Sequence, residues 1–339
     1  MFENIFVWYN GLTENLWGSL LLFIVGAVLL IKGGDWFVDS AVGIAKRFRV
    51  PEIIIGATVV SIGTTLPEVM VSVTAAVNNN GAIAYGNAIG SIICNTALIA
   101  ALTIAIRPAP VNKKAVGTPI LFFFASAVIY IIAAYIFGRF DRWLGIVMLL
   151  VFAIYMAMTI YRGFQNPVEE QEEEGQAGSI LKDIILLVIS AALIAVGADM
   201  LEGSSVSLAT MAGIPTEVIG VTVVALCTSL PELVTAITAL TKGHGALSLG
   251  NIIGANIFNL VLVSGAAVTI SPFMIPDGSK LLGYNTSQLI EIPLMVGVMA
   301  LMTLPALFKG KLYRWQGVTL LGIYVAFVVL QVLIALGVA

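Results

Sequence analysis

The sequence predicts an all-α integral membrane protein of ten transmembrane helices, arranged as two inverted five-helix repeats. Three observations lead there. Apolar runs long enough to cross a bilayer recur from end to end, the two halves match each other without a gap, and each half holds an odd number of spans. Of the 339 residues, 59% are hydrophobic and only 10% charged, against about 25% charged in a soluble domain. The bilayer is therefore the solvent and the expected partner. A net charge of −3 gives no reason to expect nucleic acid, and no obligatory protein partner or cofactor is evident. Cys94 and Cys227 fall inside apolar runs and read as small buried hydrophobes, not as a disulfide. No basic region precedes the first apolar run, so the first span is expected to stay in place.

A crossing helix needs about 20 apolar residues. Ten segments qualify: 18–39, 53–77, 84–106, 116–137, 143–161, 180–201, 217–241, 248–270, 288–308 and 315–337. Charges, glycine and proline mark the joins. Val168 to Gly178 is rich in glutamate and reads as a solvated linker. The chain thus divides into a first repeat (1–162), a linker (163–179) and a second repeat (180–339). Twelve basic residues (Lys46, Arg47, Arg49, Arg107, Lys113, Lys114, Arg162, Lys182, Lys242, Lys309, Lys311 and Arg314) fall on one side of these spans. Only Arg139, Arg142 and Lys280 fall on the other, and Lys32 lies within the first span. Basic loops stay cytoplasmic, so both termini are expected outside the cell and the linker inside, in the plasma membrane.

Val50 to Asn95 aligns with Ile214 to Asn259 at a constant offset of 164 residues. VPEIIIGATVVSIGTTLPEVMVSVTAA meets IPTEVIGVTVVALCTSLPELVTAITAL, and GAIAYGNAIGSIICN meets GALSLGNIIGANIFN. Gly33 and Asp35 match Gly197 and Asp199 at the same offset. With five spans per half, the second half must enter the membrane from the opposite side. Transporters built this way place their site near the midplane, where the halves meet.

Glu68 and Glu232 occupy matching places in the middle of apolar spans, where an ionised side chain costs several kcal/mol by most estimates. Repeat symmetry brings both to one place, and two close carboxylates repel unless a positive charge lies between them. A hard divalent cation with oxygen ligands meets that need. Pro67 and Pro231 lack the N–H that would bond the carbonyls of Gly63 and Cys227, loosening the turn before each glutamate. Thr64, Thr65, Thr228 and Ser229 flank the bends. The Thr64/Glu68 and Thr228/Glu232 pairs are spaced i,i+4, which predicts hydroxyl and carboxylate on one helix face. Asn87 and Asn95 match Asn251 and Asn259; the Gly-Asn pairs suit close helix approach and cross-helix bonds. Asn95 and Asn259 are candidate ligands or anchors. Ser91 adds a hydroxyl, and its counterpart is Ala255. Asp35, Asp199, Glu202 and Glu291 read as interfacial caps or gate residues, and His244 as a solvated turn residue. The glutamates of the linker read as a solvated run.

The segments GTTLPE…GNAIGSIICN and CTSLPEL…GNIIGANIFN resemble the two alpha repeats of the cation/calcium exchanger superfamily. The chain is most similar to sodium/calcium exchangers in their compact prokaryotic form, and the likeness covers nearly all ten spans. The resemblance implies that Glu68 and Glu232 bind calcium and compete for sodium, with Thr64, Thr65, Thr228 and Ser229 as hydroxyl or backbone ligands. It also implies that the carbonyls of Ser61 and Ala225 serve flanking sodium sites. Asn259 stands where the potassium-dependent branch has an aspartate, which argues against potassium co-transport. Ala255, where a hydroxyl is often found, bears on one sodium site and on stoichiometry. The implied activity is sodium/calcium antiport by alternating access, not enzymatic turnover; no GxxxxGK[ST] phosphate loop is present. Proton/calcium exchange on the same carboxylates, a cation channel and a sodium-coupled solute transporter are the rival readings.

Overall fold

The computed structural model describes residues 11, 13, 15–108, 110–165, 179–213, 225–277, 280–281, 283–336 and 338. Nine helices long and apolar enough to cross a membrane are present among them. They are α1 (Leu16–Arg47), α2 (Glu52–Val77), α3 (Gly81–Ile106), α4 (Ala115–Phe137), α5 (Arg142–Gln165), α6 (Ile180–Met211), α8 (Gly245–Ile270), α9 (Ser287–Lys309) and α10 (Arg314–Ile334). A shorter apolar helix, α7 (Leu230–Thr241), corresponds to the second part of the predicted span 217–241. Residues 217–224 of that span, and residues 166–178 of the predicted linker, lie outside the described residues.

The helix ends follow the sequence repeat. α1 and α6 begin and end 164 residues apart, as do α3 and α8, and α2 and α7 end at matching positions. α3 and α8 each widen into a π-type turn that starts at the matched asparagine, over Asn95–Ala100 and Asn259–Val263. Such turns are rare inside helices and cluster at functional positions.

α1 and α6 are longer than the apolar runs suggested, 32 residues each. Charged residues near one end stop the apolar signal but not the helix. At 1.5 Å per residue each spans about 48 Å, more than the roughly 30 Å hydrocarbon core. The two pack directly on each other, with contacts running in opposite order along them. A Cβ on Gly26 would lie 2.9 Å from the Gly197 carbonyl oxygen, and one on Gly197 would lie 2.8 Å from that of Gly26. Further along, Gly33 sits against Ser190 and Ile194, and Gly43 against Asp183, while the Ser19 hydroxyl donates to that of Ser207 at 3.0 Å. Each contact recurs with its partners exchanged, as in a two-fold interface. In lipid no hydrophobic drive pulls helices together, so small residues that allow backbone contact carry the association.

The centre belongs to α2, α3, α7 and α8. In the most apolar stretches of α8 and α3, 83% and 72% of residues are buried, against 11% in α10. α2 and α8 interlock: a Cβ on Gly250 would lie 2.2 Å from the Ile53 carbonyl oxygen, and one on Gly56 would lie 2.4 Å from that of Leu247. The outer helices turn leucine, valine and isoleucine outward, as at Leu150, Val188 and Val325.

Two short antiparallel pairings depart from the all-helical expectation. Arg139–Phe140 pairs with Phe273–Met274, and Lys280–Leu281 with Tyr284–Asn285. They tie inter-helix connections, where backbone groups need partners that helices no longer supply.

Overpacking at a close helix crossing costs about 1–3 kcal/mol. Gly197→Leu is therefore expected to lower the thermal midpoint in detergent by several degrees. Gly322→Ala, at an exposed position with no neighbour within 4 Å, should leave it unchanged or slightly raised. Fluorescence-detected melting of both variants checks this.

Candidate cation site

The repeated Pro-Glu motifs take different local structures. α2 continues as helix through Pro67, so Glu68 lies within an unbroken run. In the second half, a short helical turn, Ala225–Thr228, stops at Ser229, and α7 starts afresh at Leu230. Ser229 has φ −94° and ψ 9°, outside the helical basin. The expectation that both prolines loosen their helices alike is thus corrected. Glu232 falls in the first turn of α7, where free N–H groups and the helix dipole favour negative charge. Glu68, deep in its helix, has no such help.

Both glutamates are fully buried, at 0% exposure. The Thr65 hydroxyl of α2 donates to Glu232 Oε1 at 3.3 Å, so the first half reaches across to the carboxylate of the second. The remaining carboxylate oxygens, Glu68 Oε1 and Oε2 and Glu232 Oε2, have no hydrogen-bond partner among the described residues. Neither do Ser91 Oγ, Ser229 Oγ, or the amide oxygens and nitrogens of Asn95 and Asn259, all of them buried. Buried polar groups are nearly always paired. The two carboxylates and these hydroxyl and amide groups are thus buried without the partners such groups usually have, and hard oxygens of this kind suit a cation such as Ca²⁺. No cluster of three or more His, Cys, Asp or Glu residues that could hold a metal occurs among the described residues; charge comes from the glutamate pair alone.

The other anticipated donors sit as follows. Thr64 does not turn its hydroxyl to Glu68, as the i,i+4 spacing suggested. It donates to Asn251 Oδ1 at 3.2 Å. Ser61 donates to the carbonyl oxygens of Gly56 at 2.8 Å and Asn251 at 3.0 Å. The reason is the tight α2/α8 crossing, which presses Asn251 against this face of α2. Thr228 lies half-buried in the turn before Ser229, and Ala225, described by its backbone only, opens that turn. Asn87, the counterpart of Asn251, does a different job: its Nδ2 donates to the Glu68 carbonyl oxygen at 3.0 Å and to Ser72 Oγ at 2.8 Å.

Asn256 was not singled out by sequence. Its Nδ2 donates to Thr96 Oγ1 at 2.7 Å and contacts Met299 Sδ at 3.2 Å, joining α8 to the π turn of α3 and to α9. Its counterpart is Ile92, so the repeat carried no signal for it. Two further residues gain partners that the sequence did not indicate. His244 is partly exposed, and its Nδ1 lies 2.8 Å from Glu52 Oε1. Glu291 accepts a hydrogen bond from Gln331 at 3.2 Å.

Helices that expose apolar side chains outward and gather buried polar groups at their centre define a multi-pass membrane transport protein. Comparison with known proteins makes the class specific. Residues 18–161 and 182–333 match the family of sodium/calcium exchanger proteins. The chain is 35% identical to an uncharacterized membrane protein of Methanocaldococcus jannaschii over 306 residues, covering 89% of this chain and 94% of that one. It is 32% identical to the sodium/calcium exchanger MaX1 of Methanosarcina acetivorans, covering 92% and 97%. Among solved structures, the sodium-calcium exchanger NCX_Mj soaked with Na⁺ and Sr²⁺ superposes with a TM-score of 0.77 at 32% identity, covering 91% of this chain and 97% of that one. The chain belongs to the sodium/calcium exchanger family, in its compact prokaryotic form: a transporter family, whose ions are cargo.

Removing a partner from a buried polar group costs about 1–3 kcal/mol. Asn87→Ala strips the Glu68 carbonyl and Ser72 of their shared donor. It is expected to lower the thermal midpoint, and Asn87→Asp to lower it further by placing a third carboxyl beside Glu68. Melting curves of both purified variants provide the check.

Proposed function

We propose that the protein exchanges Na⁺ for Ca²⁺ across the plasma membrane by alternating access, both ions competing for one site near the bilayer midplane. The observation that carries this reading is the pair of fully buried glutamates, Glu68 and Glu232, three of whose four carboxylate oxygens have no hydrogen-bond partner among the described residues. Glu68 and Glu232 bind the calcium ion. Thr64, Thr65, Thr228 and Ser229 supply hydroxyl or backbone oxygens, and the carbonyls of Ser61 and Ala225 serve sodium. Ser91, Asn95 and Asn259 complete the shell. The names of the similar proteins, a sodium/calcium exchanger among them, support the choice of ions.

The physical logic is charge balance. Two carboxylates with a bound calcium, or with enough sodium ions, become nearly neutral; bare, they repel and resist transfer past lipid. Only the loaded site lets the halves rearrange, so an empty carrier does not dissipate the gradient. Residues 1–162 and 180–339 act as inverted repeats, joined by a cytoplasmic linker at 163–179, with both termini outside. The opposite running of α1 and α6, which hold equivalent places in the two halves, supports that inversion. α1 and α6 are the sliding elements.

Sodium-loaded proteoliposomes are expected to take up calcium-45 only when sodium runs outward. Glu68→Gln or Glu232→Gln halves the site's formal charge, and each should weaken calcium uptake by on the order of 100-fold or more, since ligand charge count sets calcium affinity. Full exchange in Glu68→Gln would sink the proposed site. Uptake that ignores sodium and follows a proton gradient would move the chemistry to proton coupling.

A further inference from the structure

The two ends of the bundle differ in charge. At the end where α1 finishes and α2 begins, Lys242, the residue following α7, reaches across to α1. Its Nζ lies 2.8 Å from Asp39 Oδ1 and 3.5 Å from Asp35 Oδ1, and donates to the Asp35 carbonyl oxygen at 3.0 Å. Two residues on, His244 Nδ1 lies 2.8 Å from Glu52 Oε1, joining the α7–α8 turn to the first turn of α2.

The repeat shows that this arrangement is not a duplicated structural feature. The counterparts of Lys242, His244, Asp39 and Glu52 are Asn78, Asn80, Gly203 and Thr216; Asp35 alone keeps an acidic counterpart, Asp199, with no basic residue at the position matching Lys242. Asn80 turns inward to its own helix and accepts from the Ile83 N–H at 3.3 Å. Ionic ties built from these positions are thus available at one end of the bundle only.

We propose that Lys242 with Asp35 and Asp39, backed by His244 with Glu52, is a latch that holds this end shut and biases the protein toward the conformer open at the opposite face. This rests on the alternating-access reading above. α1 packs closely on α6 and also meets α7, where a Cβ on Gly34 would lie 2.6 Å from Val234 Cγ1. Lys242 adds a charged tie between α1 and the end of α7. Asp35 and Asp39 stand one turn apart on α1, so a one-turn slide would only put one in the other's place; a slide of about two turns, about 11 Å, carries both out of reach of Nζ. Lys242 is 29% exposed and Asp39 63%, so solvent and salt weaken the tie. A weak latch suits a carrier that must open both ends in every cycle.

The test uses the full chain in proteoliposomes, comparing the unaltered protein with Lys242→Gln and with the charge swap Lys242→Asp/Asp39→Lys. Amide hydrogen exchange is followed over 35–39 and 241–246, and half-saturating calcium is measured from each face. In Lys242→Gln, exchange at both segments should rise about two- to fivefold, the range of an exposed ion-pair network. Half-saturating calcium should shift in opposite directions at the two faces. The charge swap should restore both, and high salt should move the unaltered protein toward the variant. Identical hydrogen exchange and unchanged half-saturation at both faces would overturn the latch while leaving exchange intact. Loss of sodium-dependent uptake in the unaltered protein would overturn the functional reading instead, and the hydrogen-exchange arm would still test the latch.

Discussion

Two carboxylates held where water does not reach them are the constraint on which the rest of this structure depends. A single buried glutamate can be protonated and forgotten; two in one place, taken from equivalent positions in a duplicated chain, demand an arrangement around them. Thr65 answers that demand at Glu232 with a hydroxyl, and among the described residues no ion pair joins a lysine or arginine to either glutamate. A fixed cation would neutralise the pair permanently and remove any reason for an ion to enter. The deep burial of α3 and α8 follows from the same requirement, because both helices must bring amides to the centre while keeping lipid out.

Bringing four helices to one point takes backbone-to-backbone contact, and that is where the glycines stand. Gly56 and Gly250 let α2 and α8 touch carbonyl to backbone, which sets Asn251 against Ser61 and Thr64. Once Thr64 is engaged there, its neighbour Thr65 is the hydroxyl that faces Glu232. Packing geometry thus sends one of two adjacent threonines to an amide and the other to a carboxylate. At the periphery the same device, Gly26 against Gly197, mates two long helices through small residues.

Much of this was legible in the sequence. Apolar runs located the helices, the 164-residue offset anticipated the matching helix ends, and the two Pro-Glu motifs picked out the glutamates that prove fully buried. What stayed hidden has physical causes. The lengths of α1 and α6 were underestimated because hydropathy measures the membrane, not the helix. The break at Ser229 was not distinguishable from the unbroken path through Pro67, since the two motifs are nearly identical and tertiary contacts choose between them. Thr64 was assigned by helical spacing to its own Glu68, but a close approach from another helix outcompeted that local geometry. Asn256 and Thr96 have apolar counterparts, so a reading guided by repetition passed over them. His244 found Glu52 through a contact spanning 192 residues of sequence, beyond the reach of local pattern.

The helix break at Ser229 removes a degeneracy. A carrier made of two identical halves would face both compartments with the same half-saturation, its inward and outward forms being mirror images in energy. Here one carboxylate stands at a helix start and the other inside a continuous helix, so in the cycle proposed above the two ends are no longer interchangeable. Thermodynamics still fixes where net flux stops, since that depends only on ion gradients, voltage and the number of ions moved per turn. What the asymmetry sets is kinetic: the compartment from which the carrier loads more readily at a given concentration. Under the exchange proposed above, a single interrupted turn in one copy of a duplicated motif thus gives the two directions of transport different kinetics.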